Sequence, residues 1–89
     1  MSGYQTVVVG TDESCTMVLT DSTVSRRHLE VSLVDDGVRL RDLGSRNGTF
    51  IQCGDEKPRR LPANVIERVG SGHNVLVGSR RNRLVLETG

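Results

Sequence analysis

The chain has 89 residues, a formal net charge of +1 and only two aromatic residues, Tyr4 and Phe50. Its length fits one small domain, over residues 1–89. The balanced charge argues against a nucleic-acid-binding protein, and no apolar run is long enough to enter a membrane as a spanning segment. We therefore expect a cytoplasmic protein. Cys15 and Cys53 do not have metal-ligand spacing, so we expect no metal or cofactor. Two reduced thiols are the simplest interpretation, and a disulfide between them stays open.

Short segments of apolar residues separated by turn residues predict β-strands along the whole chain. No long window has apolar residues at helical spacing, and glycine is abundant. The pattern predicts strands over residues 4–9, 17–19, 28–33, 38–41, 49–51, 57–61, 65–69, 74–77 and 83–87. We therefore predict an all-β fold, an antiparallel β-sandwich of about nine to eleven short strands.

Two alternating runs in the middle of the chain predict a β-hairpin. In the first run, Leu29, Val31 and Leu33 share an apolar face, and His28, Glu30 and Ser32 lie on the solvent face. Asp-Gly is a strong signal for a two-residue turn because both central positions of a type I′ turn need a positive φ. Such a turn at residues 36 and 37 predicts three opposed pairs: Leu33 with Leu40, His28 with Ser45, and Ser25 with Gly48. This register brings the polar loops 24–27 and 44–48 together, as a binding site on a rigid pair of strands.

These loops carry two motifs in a fixed order. The first is Ser25-Arg26-Arg27-His28, and the second is DLGSRNGTF, from Asp42 to Phe50. Together they resemble the forkhead-associated (FHA) domain. Residues 10–19 with Asp21, and residues 72–78, resemble the family's flanking segments, although His73 stands where the family usually has Asp. The resemblance implies an FHA/SMAD-like β-sandwich and a non-enzymatic docking module that binds phosphothreonine peptides in kinase-linked signalling or assembly.

The resemblance also implies roles for individual residues. Ser25 and Arg26 fall on positions that contact the phosphate. Ser45 or Arg46 would contact residues that flank the phosphothreonine, and Asn47 would hold the peptide backbone. His28 would brace the first loop, with Gly10 and Gly48 as structural residues.

A second departure from the family pattern falls on the site itself. The family has Gly-Arg where this chain has Gly10-Thr11, and that arginine is a main phosphate ligand. Its loss would remove a charge-assisted contact of roughly 1.5–3 kcal/mol, or about tenfold to hundredfold in affinity. Arg27, or an arginine of the second loop, is a possible substitute ligand.

This departure keeps a second function open, that of an FHA-like structural domain that associates through its sheet edges without phosphate. FHA domains usually have one or two strands before the segment that matches residues 5–9, and here only residues 1–4 precede it. The chain would then be a fragment, or residues 1–4 would cross the gap, or the C-terminal strand 83–87 would be an open edge. Such an edge could pair with a strand-completing partner or a second copy, as a dimer, a strand swap or a secretion-type scaffold.

Each candidate residue also has a simpler explanation. Ser25 is a common loop-bending residue, Asn47-Gly48 a common tight turn, and Arg26 and Arg27 ordinary solvated charges. An enzyme is disfavoured, since no credible catalytic triad or glycine-rich phosphate loop is present. Ser25 and His28, three residues apart on an extended strand, would point to opposite faces.

Overall fold

The structure, a computed structural model, describes residues 5–34, 37–70 and 72–85. In these ranges the chain forms nine strands and no helix: β1 (Gln5–Gly10), β2 (Met17–Val18), β3 (Leu29–Val34), β4 (Gly37–Asp42), β5 (Thr49–Cys53), β6 (Arg59–Arg60), β7 (Glu67–Val69), β8 (His73–Val77) and β9 (Arg83–Val85). This confirms the predicted all-β fold. Among these residues there is no helix long and apolar enough to cross a membrane. Parts of the predicted terminal strands, residues 4 and 86–87, lie outside the described ranges.

The strands form two sheets. The first has the order β2-β1-β3-β4-β7 and the second the order β6-β5-β8-β9. The pairings are antiparallel except for β1 with β2, which run parallel, with Val9 beside Met17. The loop after β1 turns the chain back far enough for β2 to run in the same direction as β1. The Val8 amide of β1 donates a hydrogen bond of 3.2 Å to Oγ1 of Thr16, at the end of this loop.

Aliphatic side chains from both sheets form the core. Its buried members are Val9, Val24, Leu29, Val31, Val38, Leu40, Ile51, Leu61, Val69, Val75 and Val77. Full burial of one such side chain contributes about 1.5–3 kcal/mol. Both cysteines are free thiols, Cys15 buried and Cys53 exposed, so the alternative of a disulfide between them is wrong.

The predicted hairpin forms, but its predicted register is wrong by two residues. Leu33 lies opposite Val38 rather than Leu40, and Gly37 pairs with Val34 inside the ladder. Gly37 has a φ of 143°, so glycine satisfies a backbone requirement in the strand and not in the turn. The connection falls on residues 35 and 36, outside the described ranges. Because side chains alternate with a period of two, a register shift of two residues does not by itself move a strand side chain to the other face.

Two predictions about side-chain exposure are also wrong. His28, predicted on the solvent face, is completely buried just before β3 begins. Leu33, predicted on the apolar face, is 37% exposed near the end of its strand. The burial of His28 matters for function because its ring lies between the two polar loops.

Candidate functional site

The two polar loops border one open pocket of about 280 Å³. Its lining includes five residues predicted from the sequence and three that were not: Thr11, Ser25, Arg26, Arg46 and Asn47, with Ser22, Thr23 and Val24. Two other predicted residues are not part of the lining. Ser45 is buried, and Arg27 is exposed.

Backbone hydrogen bonds attach the first loop to the end of β1. The amides of Thr11 and Asp12 donate to the carbonyls of Ser25 and Arg26, at 3.0 and 3.1 Å. The two segments are so close that a Cβ at Gly10 would lie 2.1 Å from the Arg26 carbonyl oxygen. Only glycine fits there without a shift of the backbone, so Gly10 sets the position of the Arg26 loop.

Asp21 shapes the start of the same loop. Its Oδ1 accepts hydrogen bonds from the Thr23 amide at 2.8 Å and from Thr23 Oγ1 at 2.6 Å. These two hydrogen bonds lower the pKa of the Asp21 carboxyl. The same turn continues with a bond of 2.9 Å from the Val24 amide to the Asp21 carbonyl, and the Val24 side chain enters the core.

His28 connects the first loop to the second. Its Nδ1 accepts from the Ser25 amide at 3.0 Å, and its Nε2 lies 2.8 Å from the Gly48 carbonyl oxygen. An amide can only donate and a carbonyl can only accept, so these contacts require the tautomer with its hydrogen on Nε2. The Ser25 amide and the Gly48 carbonyl are thereby held at a fixed separation across one buried ring.

The second loop is organised around the buried carboxylate of Asp42. It accepts four hydrogen bonds of 2.6–3.0 Å, from the amides of Gly44 and Ser45 and from the hydroxyls of Ser45 and Thr49. Burial raises the pKa of this carboxyl, but the hydrogen bonds, first those of Ser45 and Thr49, outweigh it and leave the pKa below its usual value. Ser45 Oγ also accepts from the Gly48 amide at 3.1 Å. Ser45 thus supports the loop from below.

Two further hydrogen bonds join the loops at the pocket itself. Ser25 Oγ accepts from the Arg46 amide at 3.0 Å, and Asn47 Nδ2 donates to the Thr23 carbonyl at 2.9 Å. The predicted juxtaposition of the two loops is therefore present, with Ser25 beside Arg46 rather than opposite Gly48. The first contact uses a lone pair of the Ser25 oxygen, so its O–H can still donate.

The electrostatics of the pocket favour an anion. Arg26 and Arg46 are exposed, and within the described ranges neither guanidinium makes a hydrogen bond or an ion pair of its own. The carboxyl group of Asp12 lies close to Arg26. A hydrogen bond from Ser14 is the main cause that lowers the pKa of Asp12; burial opposes the shift, and the Arg26 charge assists it. Two forked cations and a hydroxyl donor suit a tetrahedral oxyanion such as a phosphate.

Besides Ser22 and Val24 in the lining, sequence reasoning missed three residues that build this site. Thr23 lines the pocket, Asp42 holds the second loop, and Asp12 lies beside Arg26. A signal was present for Asp42 alone, since an Asp followed three residues later by Ser is a common arrangement for side-chain-to-backbone hydrogen bonds. The positions of Thr23 and Asp12 depend on the loops' tertiary contacts.

Comparisons with known proteins agree with this geometry. The family model described as FHA domain matches residues 7–87. The FHA domain-containing protein FhaB of Mycolicibacterium smegmatis is 41% identical over 49 residues, which cover 55% of this chain and 32% of FhaB. The chain thus spans about a third of the length of this curated relative.

Two solved structures are similar over most of the chain. The FHA domain of CT664 from Chlamydia trachomatis has a TM-score of 0.72 and 28% identity, covering 89% of this chain and 72% of that one. A second structure comes from a structural and functional analysis of phosphothreonine-dependent FHA domain interactions. It has a TM-score of 0.64 and 27% identity, and the match covers 82% of this chain and 68% of that one. With a family match over nearly all of its residues and a two-sheet fold shared with these structures, the chain belongs to the FHA-domain family.

Proposed function

We propose that this domain is a non-enzymatic docking module that binds phosphothreonine peptides in kinase-linked signalling or assembly. The observation that carries the proposal is the convergence of Ser25, Arg26 and Arg46 on one open pocket at the loop ends. Family membership supports it, as do the phosphothreonine-dependent interactions described for a structural neighbour.

Thr11 lines the same pocket, so the family's missing arginine would have projected from its rim. Arg46 lies in the lining and Arg27 does not, which favours Arg46 as the substitute phosphate ligand. Asn47 would hold the peptide backbone through its Oδ1, since its Nδ2 already donates to Thr23. In this arrangement the pocket presents the cations of Arg26 and Arg46 and the hydroxyl of Ser25 to the phosphate.

The test is a fluorescence-anisotropy titration with a degenerate phosphothreonine peptide library and its unphosphorylated counterpart. We expect binding of the phosphorylated library only, and a loss of about tenfold or more for both Ser25→Ala and Arg46→Gln. The matched controls are Ser32→Ala and Arg39→Gln, which alter β3 and β4 outside the pocket lining and should leave affinity unchanged. Equal binding of both libraries would refute the proposal.

A Thr11→Arg variant separates a working site from a silent one. If the wild type binds, the added arginine should tighten binding by about tenfold to hundredfold. Binding by the variant alone would mean that Thr11 has switched off an otherwise intact site, which overturns the proposal for the natural chain.

The alternative proposal is association through a sheet edge. In the described part of the chain β9 stands at the end of its sheet's strand order, where it could accept a strand from a partner or a second copy. Sedimentation of a concentrated sample would show a dimer if the edge is used in this way, and a monomer at every concentration would remove support for self-association.

A further inference from the structure

The outer face of the second sheet has a row of four side chains that the core does not use. Phe50 lies opposite Leu76, Arg60 pairs with Phe50, and Arg83 pairs with Leu76. Cross-strand partners share a face, and the neighbouring Ile51 belongs to the core, so this row points away from the core. The only aromatic side chain among the described residues thus lies outside the core.

A groove runs over this row. Leu76 is only 4% exposed although it faces outward, because neighbouring groups surround it. Two adjoining pockets of about 500 and 360 Å³ share Lys57, Pro58, Leu76 and Arg80 in their linings. The larger one also touches Phe50, and its volume lies in the usual range of ligand-binding pockets.

One wall of the groove is a fixed structure. The connection between β5 and β6 folds back on itself: the Glu56 amide donates to the Cys53 carbonyl at 3.1 Å, and Gln52 Nε2 donates to the Glu56 carbonyl at 3.0 Å. These bonds place Lys57 and Pro58 beside the Phe50–Leu76 floor. The groove is therefore preformed and does not need a ligand to order it.

The charges around the groove indicate what it would bind. Lys57, Arg80 and Arg83 are exposed, and in the ranges that the structure covers none of them makes a hydrogen bond or ion pair through its side chain. The acids Asp55 and Glu56 lie in the smaller pocket only. The larger pocket combines the apolar floor with the cations of Lys57 and Arg80, whereas Arg83 lines the smaller pocket together with the two acids. Three cations against two acids leave the groove with a net positive charge, which is complementary to an apolar side chain between carboxylates.

We propose that this groove is a second docking site, which binds a protein segment with one bulky apolar side chain flanked by acidic residues. The apolar side chain would contact Phe50 and Leu76, and the flanking carboxylates would pair with Lys57, Arg80 and Arg83. This site needs no phosphate, so it goes beyond the proposed function. It lies next to the pocket between the two polar loops, because Gly78 lines the groove and a Cβ at Gly78 would lie 2.5 Å from the carbonyl oxygen of Thr23, which lines that pocket.

The test follows amide resonances of the ¹⁵N-labelled chain during titration with three unphosphorylated peptides. They are Asp-Glu-Phe-Asp-Glu, Asp-Glu-Ser-Asp-Glu and Lys-Lys-Phe-Lys-Lys, all with blocked ends. We expect saturable shifts at Phe50, Leu76 and Gly78 with the first peptide, and binding weaker by about tenfold or more with the other two. The amides of Ser25 and Asn47 should not lead the response.

A double variant, Arg80→Glu with Arg83→Glu, should weaken the first peptide about tenfold or more, whereas Arg39→Glu on the other sheet should not change its affinity. Both variants change exposed arginines only, so we expect each to remain folded, and the amide spectrum checks this. Equal affinity for the phenylalanine and serine peptides, no saturation, or no effect of the charge reversal would each overturn the proposal. Because no peptide carries phosphate, this result is independent of the phosphothreonine titration.

Discussion

Replacement of Asp42 by Asn tests whether one buried carboxylate holds the second loop in place. Asp42 is 2% exposed and accepts four hydrogen bonds. Hydrogen bonds to an ion contribute about 1.5–3 kcal/mol each and neutral ones about 0.5–1.5 kcal/mol. The Asn amide is neutral and has one acceptor oxygen, whereas the Asp carboxylate is charged and has two. In either orientation the amide can therefore accept fewer and weaker hydrogen bonds. The neutral amide also avoids the desolvation cost of a buried charge, several kcal/mol, which offsets part of the lost hydrogen-bond energy. We therefore expect Asp42→Asn to lower the free energy of unfolding by about 2–4 kcal/mol.

That loss is large for a chain of this size. Roughly 0.05–0.15 kcal/mol per residue predicts a total stability of about 4–13 kcal/mol for 89 residues. The melting temperature should fall by about 8–32 °C, since a domain of 60–100 residues loses about 4–8 °C per kcal/mol. The exposed Asp55→Asn is the matched control, and we expect it to change stability little.

The pH dependence gives a second readout of the same carboxylate. Its pKa is lowered in the folded state, so its contribution is complete above the unfolded-state pKa, about 3.9, and is lost as the pH falls through the folded-state pKa. Urea unfolding followed by circular dichroism should show the full gap between wild type and Asp42→Asn at about pH 7 and a smaller gap at about pH 3. A gap below about 0.5 kcal/mol at neutral pH, or an equal gap at both values, would refute the reasoning.

Two further substitutions test the first loop. Gly10→Ala should destabilise the domain by about 1–3 kcal/mol in urea unfolding, because the new Cβ meets the Arg26 carbonyl. Gly70→Ala is the control and should not destabilise it, because a Cβ there would have only ordinary contacts. Equal effects of the two substitutions would contradict the close approach at Gly10. Asp12→Asn removes a negative charge beside Arg26, so it should tighten phosphothreonine-peptide binding about twofold to fivefold at low salt. The control Asp55→Asn should not tighten binding. Weaker binding by the Asp12→Asn variant would contradict this electrostatic account.

The existence of the strands could be predicted because it depends on local alternation. The hairpin register could not, because the Asp-Gly signal competes with the ladder itself, and Gly37 belongs to the ladder. The predicted site did not depend on this error, because a register error of two residues does not by itself move a strand side chain to the other face. The predicted and the observed registers both bring the loops of Ser25 and Arg46 together at one end of the hairpin.

The burial of His28 could not be deduced from alternation. Its place depends on three long-range partners: its amide donates to the Val9 carbonyl, and its ring contacts Ser25 and Gly48. The outer position of Phe50 was equally hidden, since an aromatic residue in an alternating run suits either face of a sheet. What the sequence lacks in both cases is the identity of the neighbour across the fold.

The hydrogen bond from the Arg46 amide to Ser25 Oγ has a consequence for binding kinetics. The two loops are already joined before any ligand arrives, so a phosphopeptide would not have to pay for ordering them. Association should then proceed at an ordinary docking rate of about 10⁵–10⁷ M⁻¹s⁻¹, raised by the two arginines at low salt. Differences among peptide sequences should therefore appear as different residence times on the domain, while their rates of capture stay similar.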